Sequence, residues 1–287
     1  DRVIDPLNTV LSGDLDKNDV LTGNVTANAA DIQGQNSFRI MNIGGDGEVG
    51  FGTRGNGIYV SVPTDNRYTL LEGVSISGGD RIDQSLAGAG IQCNGTRGGT
   101  CSPRLVQVAL MGNRTASIGA GFVTAAVDNG VSNPVFEDVS FLGNHAGGNG
   151  GGFAALSAEF DESGASMSPT FLRVSFKNNS AGQYGGAFSA QLLAGKNVVT
   201  MTDVEFVSNT SQNVAGAAFF NASAFNEAIP ELQARITNVT FHGNSAVGEA
   251  SALYIVAETL DGTSIPVANA QLTNVTFSGN TSPSGAA

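Results

Sequence analysis

The chain has 287 residues, a formal net charge of -12 at pH 7 and a hydrophobic fraction of 41%. This acidic balance disfavours binding to nucleic acid or to an anionic membrane through a basic patch. We also expect no membrane insertion, because no apolar segment reaches the roughly 18 residues that a spanning helix needs. The apolar residues fall in short Val, Ile and Phe runs bounded by Gly and Asn, a pattern typical of strands and turns.

The first distinctive segment is the acidic run Asp14-Leu-Asp16-Lys-Asn18-Asp19. Its Asp-x-Asp-x-Asn spacing opens many calcium loops, but the sixth position lacks Gly and Val25 replaces the bidentate Glu at the twelfth. The run therefore predicts either a loose structural calcium site made of Asp14, Asp16, Asn18 and Asp19, or a solvated acidic turn. Of the two, we favour the turn, and we expect no other cofactor.

Both cysteines lie in the short segment Cys93-Asn-Gly-Thr-Arg-Gly-Gly-Thr-Cys101. Seven residues rich in Gly can close a small disulfide loop, and such a bridge indicates an oxidising compartment. Two free thiols or half of a metal site are the alternatives, but the metal site has no His or Cys partner nearby. We predict the disulfide.

A repeat organises the chain from residue 71 onward. The pattern Val-x-Phe-x-x-Asn ends at Asn144, Asn179, Asn209, Asn244 and Asn280, and a variant with Leu for Phe ends at Asn113. Successive Asn residues are 31, 35, 30, 35 and 36 residues apart. A unit of this length must stack on its neighbours to bury its apolar face.

Each unit carries two further apolar positions. One lies three residues before the Val, and the other closes a Gly-Ala stretch nine residues after the Asn, as in Phe122, Phe153 and Phe188. In the unit of Asn209 we assign the closing position to Phe219, ten residues on, which implies a one-residue insertion.

The repeat predicts a fold class. Val-x-Phe has a period of two and Gly-Gly-Ala runs are poor helix formers, so helical repeats of similar length are disfavoured. A propeller blade would need about four antiparallel strands in some 40 residues, joined by tight turns that this unit lacks. We predict an all-β, right-handed parallel β-helix with about 30 to 36 residues per turn. Residues 1–70 would form the first rungs or a cap, and residues 71–287 the repeat coil of a single domain.

In such a coil every column of the repeat stacks on itself at about 4.8 Å. Val and Phe then fill the interior, and the repeat Asn side chains form an inward ladder of hydrogen-bonded amides. The ladder residues are Asn113, Asn144, Asn179, Asn209, Asn244 and Asn280.

Nine Asn-x-Ser/Thr sequons occur in the chain. Those at Asn113, Asn209 and Asn280 belong to the ladder and should be inaccessible. If the source is eukaryotic, we expect glycosylation at sequons on the surface. These candidates are Asn94, Asn221, Asn238 and Asn274.

Phe-x-x-Asn followed by Gly-Gly-Ala resembles the repeats of the chlamydial-type polymorphic outer membrane proteins and related bacterial β-helix surface proteins. The motifs span residues 71–280, and the opening Val10-Leu-Ser-Gly-Asp14 is similar to the first rungs of such proteins. The resemblance implies secretion or surface display and an adhesive or structural role. One β-helix architecture also hosts lyases and hydrolases, so the motif is specific for fold rather than for function.

Catalysis by this chain is disfavoured on chemical grounds. Inverting hydrolases need two carboxylates flanking the scissile bond, whereas only Asp138 and Asp203 share a column here, with Arg173 between them, which indicates a surface ion ladder. His145 and His242 fall in different columns and are interpreted as solvated residues. Three Lys in an acidic chain do not suit a uronate lyase, which abstracts a proton in a positive or calcium-bearing groove.

We therefore expect a non-catalytic extracellular structural or adhesive protein, either a surface passenger or a filament subunit. Its expected partners are a second copy stacked end to end, further rungs of the same chain, or a host-cell or glycan ligand. The alternative is a carbohydrate-binding or polysaccharide-degrading β-helix that uses a groove formed by long loops between strands. The three longest loops are predicted at residues 157–168, 220–231 and 258–266.

Overall fold

The computed structural model describes residues 6–44, 58–61, 69–82, 87–158, 164–224, 229–260, 262 and 264–283, with the backbone alone at 58–61. These residues form an all-β parallel solenoid of about six turns, which confirms the predicted fold class. Parts of the three long loops, at 159–163, 225–228, 261 and 263, lie outside the described residues. In the part of the chain that is described, no helix has the length and apolar character to cross a membrane.

In the described residues three sheets run along the coil. The fifteen strands of the first sheet are Val10–Ser12, Leu70–Glu72, Ser75–Ser77, Thr100–Cys101, Arg104–Val106, Ala109–Met111, Val131–Ser132, Val135–Glu137, Ser140–Leu142, Ser166–Met167, Thr170–Leu172, Ser175–Lys177, Lys196–Val207, Glu231–His242 and Val267–Ser278. The six short strands of the second sheet are Asp80–Arg81, Arg114–Thr115, His145–Ala146, Ser180–Ala181, Thr210–Ser211 and Ser245–Ala246. The eight strands of the third sheet are Met41–Gly44, Ile58–Ser61, Ile91–Thr96, Phe122–Val127, Phe153–Ala158, Phe188–Leu192, Ala218–Ala224 and Leu253–Thr259. Two short 3-10 helices, Pro6–Asn8 and Ala29–Asp31, lie in the N-terminal segment.

Each turn of the coil bends at three corners where one residue has a left-handed backbone. In one turn these residues are Asp138, Gly143 and Gly150, with φ of 54°, 61° and 63°. The first corner is occupied in later turns by Arg173, Asp203, Asn238 and Asn274, all with positive φ. The first of these corners bends the chain within the first sheet, and the other two turn it from the first sheet to the second and from the second to the third.

Three aromatic columns meet inside the coil. In the column that precedes the Asn ladder, the Phe141 and Phe176 rings stack at 4.6 Å between centroids, and Phe206, Phe241 and Phe277 continue the stack at 4.8 to 5.0 Å. The other two columns pair Phe136 with Phe171 and place Phe122, Phe153 and Phe188 in line. These rings supply most of the large buried side chains of the core.

The closing position of one unit differs from our assignment. Ala218, nine residues after Asn209, pairs with Phe188, so the predicted insertion is wrong. Because side chains alternate along a strand, Phe219 faces outward and Phe220 returns to the core. The Phe219 ring stacks outside the coil between Tyr184 and Tyr254, with centroid distances of 4.9 and 5.9 Å.

The N-terminal segment contributes both strands and an external excursion. Strand Val10–Ser12 extends the first sheet by pairing with Ser75–Ser77. The chain then crosses the outside of the corner between the first and second sheets and re-enters the coil where the Ile40 amide donates to the Ala89 carbonyl. We name residues 14–37, the part outside the coil, the N-terminal arm.

Candidate functional site

The repeat Asn side chains form a continuous ladder inside the second corner, as the sequence predicts. The backbone N–H and the side-chain amide of Asn179 both donate to Oδ1 of Asn209, at 2.9 and 3.1 Å. The same amide also donates to the Phe141 carbonyl at 2.9 Å. Equivalent bonds join the other ladder residues, Asn113, Asn144, Asn244 and Asn280.

This ladder joins successive turns, and its polar groups are used in hydrogen bonds within the coil. From Asn144 to Asn244 each amide nitrogen has two acceptors and each amide oxygen accepts two donors from the preceding turn, so these buried groups are satisfied. The Asn113 and Asn209 side chains are fully buried, which makes their sequons inaccessible in the folded chain. Asn280, in the last described turn, is partly exposed.

A second, external ladder runs along the first corner. Arg173 donates to Asp138 at 2.6 Å and to Glu137 at 2.8 Å, and Arg104 also pairs with Glu137. Hydrogen bonds from Arg173 lower the pKa of the Asp138 carboxyl, and those from Arg104 and Arg173 lower that of Glu137. Both carboxylates are therefore ionised and paired, and the Asp138–Arg173 pair of the predicted ion ladder is confirmed.

The external ladder continues through amides in the later turns. Asn238 donates to Asp203 at 2.9 Å, and Asn274 donates to Asn238 at 2.9 Å. Asn238 and Asn274 are exposed, as expected for glycosylation candidates.

The other two glycosylation candidates are less accessible. Asn94 is half-buried and accepts a hydrogen bond from Gln92 at 2.9 Å. Asn221 is only 8% exposed, so the expectation of a surface position is wrong. Glu258 of the next turn folds back over it, accepting from the Asn221 amide and from Ser223 at 2.7 Å each.

Cys93 and Cys101 form the predicted disulfide. Both residues are fully buried among the inner side chains of the first turns, and their Cα atoms are 5.7 Å apart. The bridge links strand Ile91–Thr96 of the third sheet to strand Thr100–Cys101 of the first sheet. It therefore fixes one corner of the first complete turn.

The acidic run lies in the N-terminal arm, where its carboxylates accept hydrogen bonds from the protein. Asp14 accepts from the amides of Asn18 and Asp19, and Asp16 accepts from the Asn18 side chain at 3.1 Å. Asp19 is buried and accepts from Gln33 at 2.7 Å. Among the described residues no group of three or more His, Cys, Asp or Glu side chains could hold a metal ion, and the calcium site stays a prediction.

The two histidines lie in different sheets. His145 is in the second sheet, half-buried between Arg114 and Ser180, and its Nδ1 lies 2.8 Å from the Ser180 hydroxyl. Burial, with a smaller contribution from Arg114, lowers the pKa of the His145 imidazole. His242 is exposed on the first sheet, where Nδ1 lies 2.9 Å from the Ser278 hydroxyl.

One open groove lies on the outside of the corner between the second and third sheets. Its volume is about 740 Å³ and it is lined by Tyr184, Asn213, Val214, Val247, Gly248, Glu249 and Pro283. The Tyr184 ring forms one end of the external aromatic stack that includes Phe219. Sequence reasoning missed this groove because its residues come from successive Gly-Ala stretches, which read as corner segments.

Comparisons of this chain with protein-family models, with curated proteins and with solved structures found no match. The function is therefore argued from the geometry of the coil.

Proposed function

We propose that this chain is a non-catalytic, extracellular structural or adhesive β-solenoid whose copies stack end to end into a filament. The observation that carries the proposal is the apolar edge of the last described strand, Val267–Ser278. A buried disulfide suits an oxidising, extracellular setting. The resemblance to β-helix surface proteins agrees with the same setting.

The edge differs from the turns beneath it. Leu272 and Phe277 are 47% and 44% exposed, whereas Ile236 and Phe241 in the same columns are fully buried. The Phe277 ring stacks on Phe241 at 5.0 Å through one face. A strand edge with in-register apolar side chains is a template for a further parallel strand.

The occupant that we propose is the first turn of a second copy. Strand Val10–Ser12 lies at the opposite end of the first sheet, and Leu11 occupies the column of Ile76 there. Phe277 occupies the same column at the other end. A contact between two different ends of identical chains is heterologous and propagates into an open filament. Because each copy has a net charge of -12, assembly should be favoured by salt, which screens the repulsion.

The test combines electron microscopy with mass determination of the intact native protein. Filaments or oligomers should form with rising salt and should be lost in the pair Leu272→Lys and Phe277→Lys. The control pair, Thr273→Lys and Thr276→Lys, adds the same charge to exposed positions of the same strand and should retain assembly. Monodisperse single rods at every salt concentration would exclude the filament. If the mass of those rods also shows a longer polypeptide, the result would indicate a surface passenger.

The open groove favours a second candidate function, carbohydrate binding. A tyrosine beside aliphatic Val214 and Val247, with polar Asn213 and Glu249, combines an apolar platform with hydrogen-bonding groups. Glycan-array binding that Tyr184→Ala abolishes, and that Tyr254→Ala retains, would support this function. Absence of binding, together with no release of reducing ends from polysaccharides, would exclude both binding and degradation.

A further inference from the structure

The N-terminal arm contacts the outside of three successive turns. In the first turn the Thr26 amide donates to the Ser77 hydroxyl at 2.8 Å, and that hydroxyl donates back to the Thr26 carbonyl at 3.1 Å. In the third turn the Ala29 amide donates to the Gly143 carbonyl at 2.9 Å. The arm therefore runs along the axis of the coil and fastens turns that are distant in sequence.

The arm covers an apolar strip that exists only beneath it. Val25 and Ala27 pack on Ala109 and Met111, with Leu142 at the margin. In the following turns the positions of Ala109 and Leu142 are taken by more polar pairs. These are Ser175 with Lys177, Glu205 with Val207 and Thr240 with His242. The outer face of the first sheet is thus apolar where the arm lies and largely polar where it does not.

Two glycines allow the backbone of the arm to approach the coil. A Cβ on Gly112 would lie 2.1 Å from the Thr26 carbonyl oxygen, and one on Gly143 would lie 2.4 Å from the Ala27 carbonyl oxygen. Gly243 occupies the same corner in a later turn with φ of 62°. A Cβ on Gly243 would lie 3.7 Å from the Ser208 hydroxyl, the nearest atom to it. A side chain at Gly112 or Gly143 would therefore exclude the arm, whereas one at Gly243 would not.

The arm also has its own internal centre. The buried Asp19 carboxylate accepts from the Thr26 hydroxyl at 2.8 Å, from the Gln33 amide at 2.7 Å and from the Asn36 side chain at 2.9 Å. These bonds join the outgoing and returning limbs of the arm. The outer surface of the arm exposes Leu15, Val20 and Leu21.

We infer that the N-terminal arm is a clasp, which opens as one unit between strand Val10–Ser12 and residues 38–40 while the turns beneath it stay folded. Those turns do not depend on the arm for their strand pairing, because Ala109–Met111 pairs with Ser75–Ser77 on one side and Ser140–Leu142 on the other. Opening uncovers the apolar strip of Ala109, Met111 and Leu142. A segment with its own hydrogen-bonded centre and a small apolar footprint belongs to the low-stability class of cooperative units.

Native-state hydrogen exchange of the full chain, read by mass spectrometry, tests the clasp. The amides of residues 14–37 should exchange as one group and faster than those of residues 104–142. Gly112→Ala and Gly143→Ala should each accelerate exchange of the arm roughly tenfold or more, and the matched control Gly243→Ala should leave it unchanged. Trypsin should cut more rapidly at the exposed Lys17 in the first two variants.

Asp19→Asn separates opening of the arm from local damage to the coil. This substitution changes a side chain of the arm and none of the coil, and it should accelerate exchange of residues 14–37 while residues 104–142 keep the rates of the unsubstituted chain. Arm and coil amides that exchange together at one rate would overturn the clasp. Equal arm exchange in Gly112→Ala and Gly243→Ala would overturn it as well. Both results are independent of whether filaments form.

Discussion

In the first two turns the column before the Asn ladder carries Ile76 and Leu110, whereas from Phe141 to Phe277 it is an unbroken stack of rings. The early strands of the first sheet are short, as in Ala109–Met111, whereas the last three strands of that sheet each run for twelve residues. The early turns instead have a buried disulfide and the external arm. The Asn ladder crosses both regions from Asn113 onward.

The comparison teaches that one repeat can be stabilised in two ways. Where rings stack and strands are long, each turn is held by its neighbours above and below. Where the inner column is aliphatic and the strands are short, the disulfide and the N-terminal arm, which packs on the outside, add to the stability of the turns. Substitutions should therefore have regional effects except where they break the ladder that both regions share.

The largest effect is expected for Asn179→Ala, in the shared ladder. This change removes the acceptor of the buried Asn144 backbone N–H and one of the two acceptors of its side-chain amide, and the Phe141 carbonyl loses a donor. The cost should be about 4 kcal/mol in the free energy of unfolding. Urea unfolding measures it. The adjacent Asn178→Gly, an exposed left-handed position, should change stability by less than about 0.5 kcal/mol. Equal losses in the two variants would contradict a specific role for the ladder.

Removal of the disulfide should affect the early region alone. The pair Cys93→Ala and Cys101→Ala opens a loop with a sequence separation of 8, and the stability should fall by about 2 to 3 kcal/mol. Hydrogen exchange should accelerate in residues 91–132 and remain unchanged in residues 231–278. Uniform acceleration along the chain would show that the two regions unfold as one unit.

Phe206→Leu should weaken the late region. The Phe206 ring stacks on Phe176 and on Phe241, both at 4.8 Å, and its loss should cost about 2 kcal/mol. Met201→Leu, in the neighbouring inner column, keeps side-chain volume and should cost less than about 1 kcal/mol. Thermal unfolding of both variants gives the comparison. An equal decrease in Tm would contradict a specific contribution of ring stacking to these turns.

The smallest effect concerns pH and the second sheet. Because the pKa of His145 is lowered in the folded chain, the unfolded chain binds the proton more readily. This histidine therefore makes the chain lose stability as the pH falls through the ordinary His range, at about 6.5. His145→Gln should reduce that loss between pH 7 and pH 5. Urea unfolding of both chains across this pH range measures the effect, and an identical pH profile for His145→Gln would contradict it.

Much of the fold could be predicted because the repeat shows directly which side chains face the core and which face solvent. The alternation in Val-x-Phe fixes which side chains face the core, and the recurring Asn fixes the register of successive turns. The external ion ladder of Asp138 and Arg173 followed from the same register. The open groove could not be predicted in this way, since its lining residues share no pattern beyond small or polar character.

The errors arose where the outside of the coil is covered by another segment. The Asn221 side chain points outward, but Glu258 of the next turn covers it. The sequon alone does not show that another residue covers the asparagine. Phe219 was assigned to the core because large apolar residues usually are, whereas the strand alternation gives the inward position to Ala218. The Phe219 ring is buried instead by Tyr184 and Tyr254, outside the coil.

The sequence by itself determined the parallel coil, the inward Asn ladder, the aromatic columns and the disulfide, because each depends on a spacing that recurs or on two cysteines close together. Only the tertiary structure decided how the arm closes on the coil. Thr26 and Ser77 are 51 residues apart and Ala29 contacts Gly143 two turns farther on, so no local pattern records these contacts. Gly112 and Gly143 resemble ordinary corner glycines in sequence, and only the arm lying against them distinguishes them from Gly243.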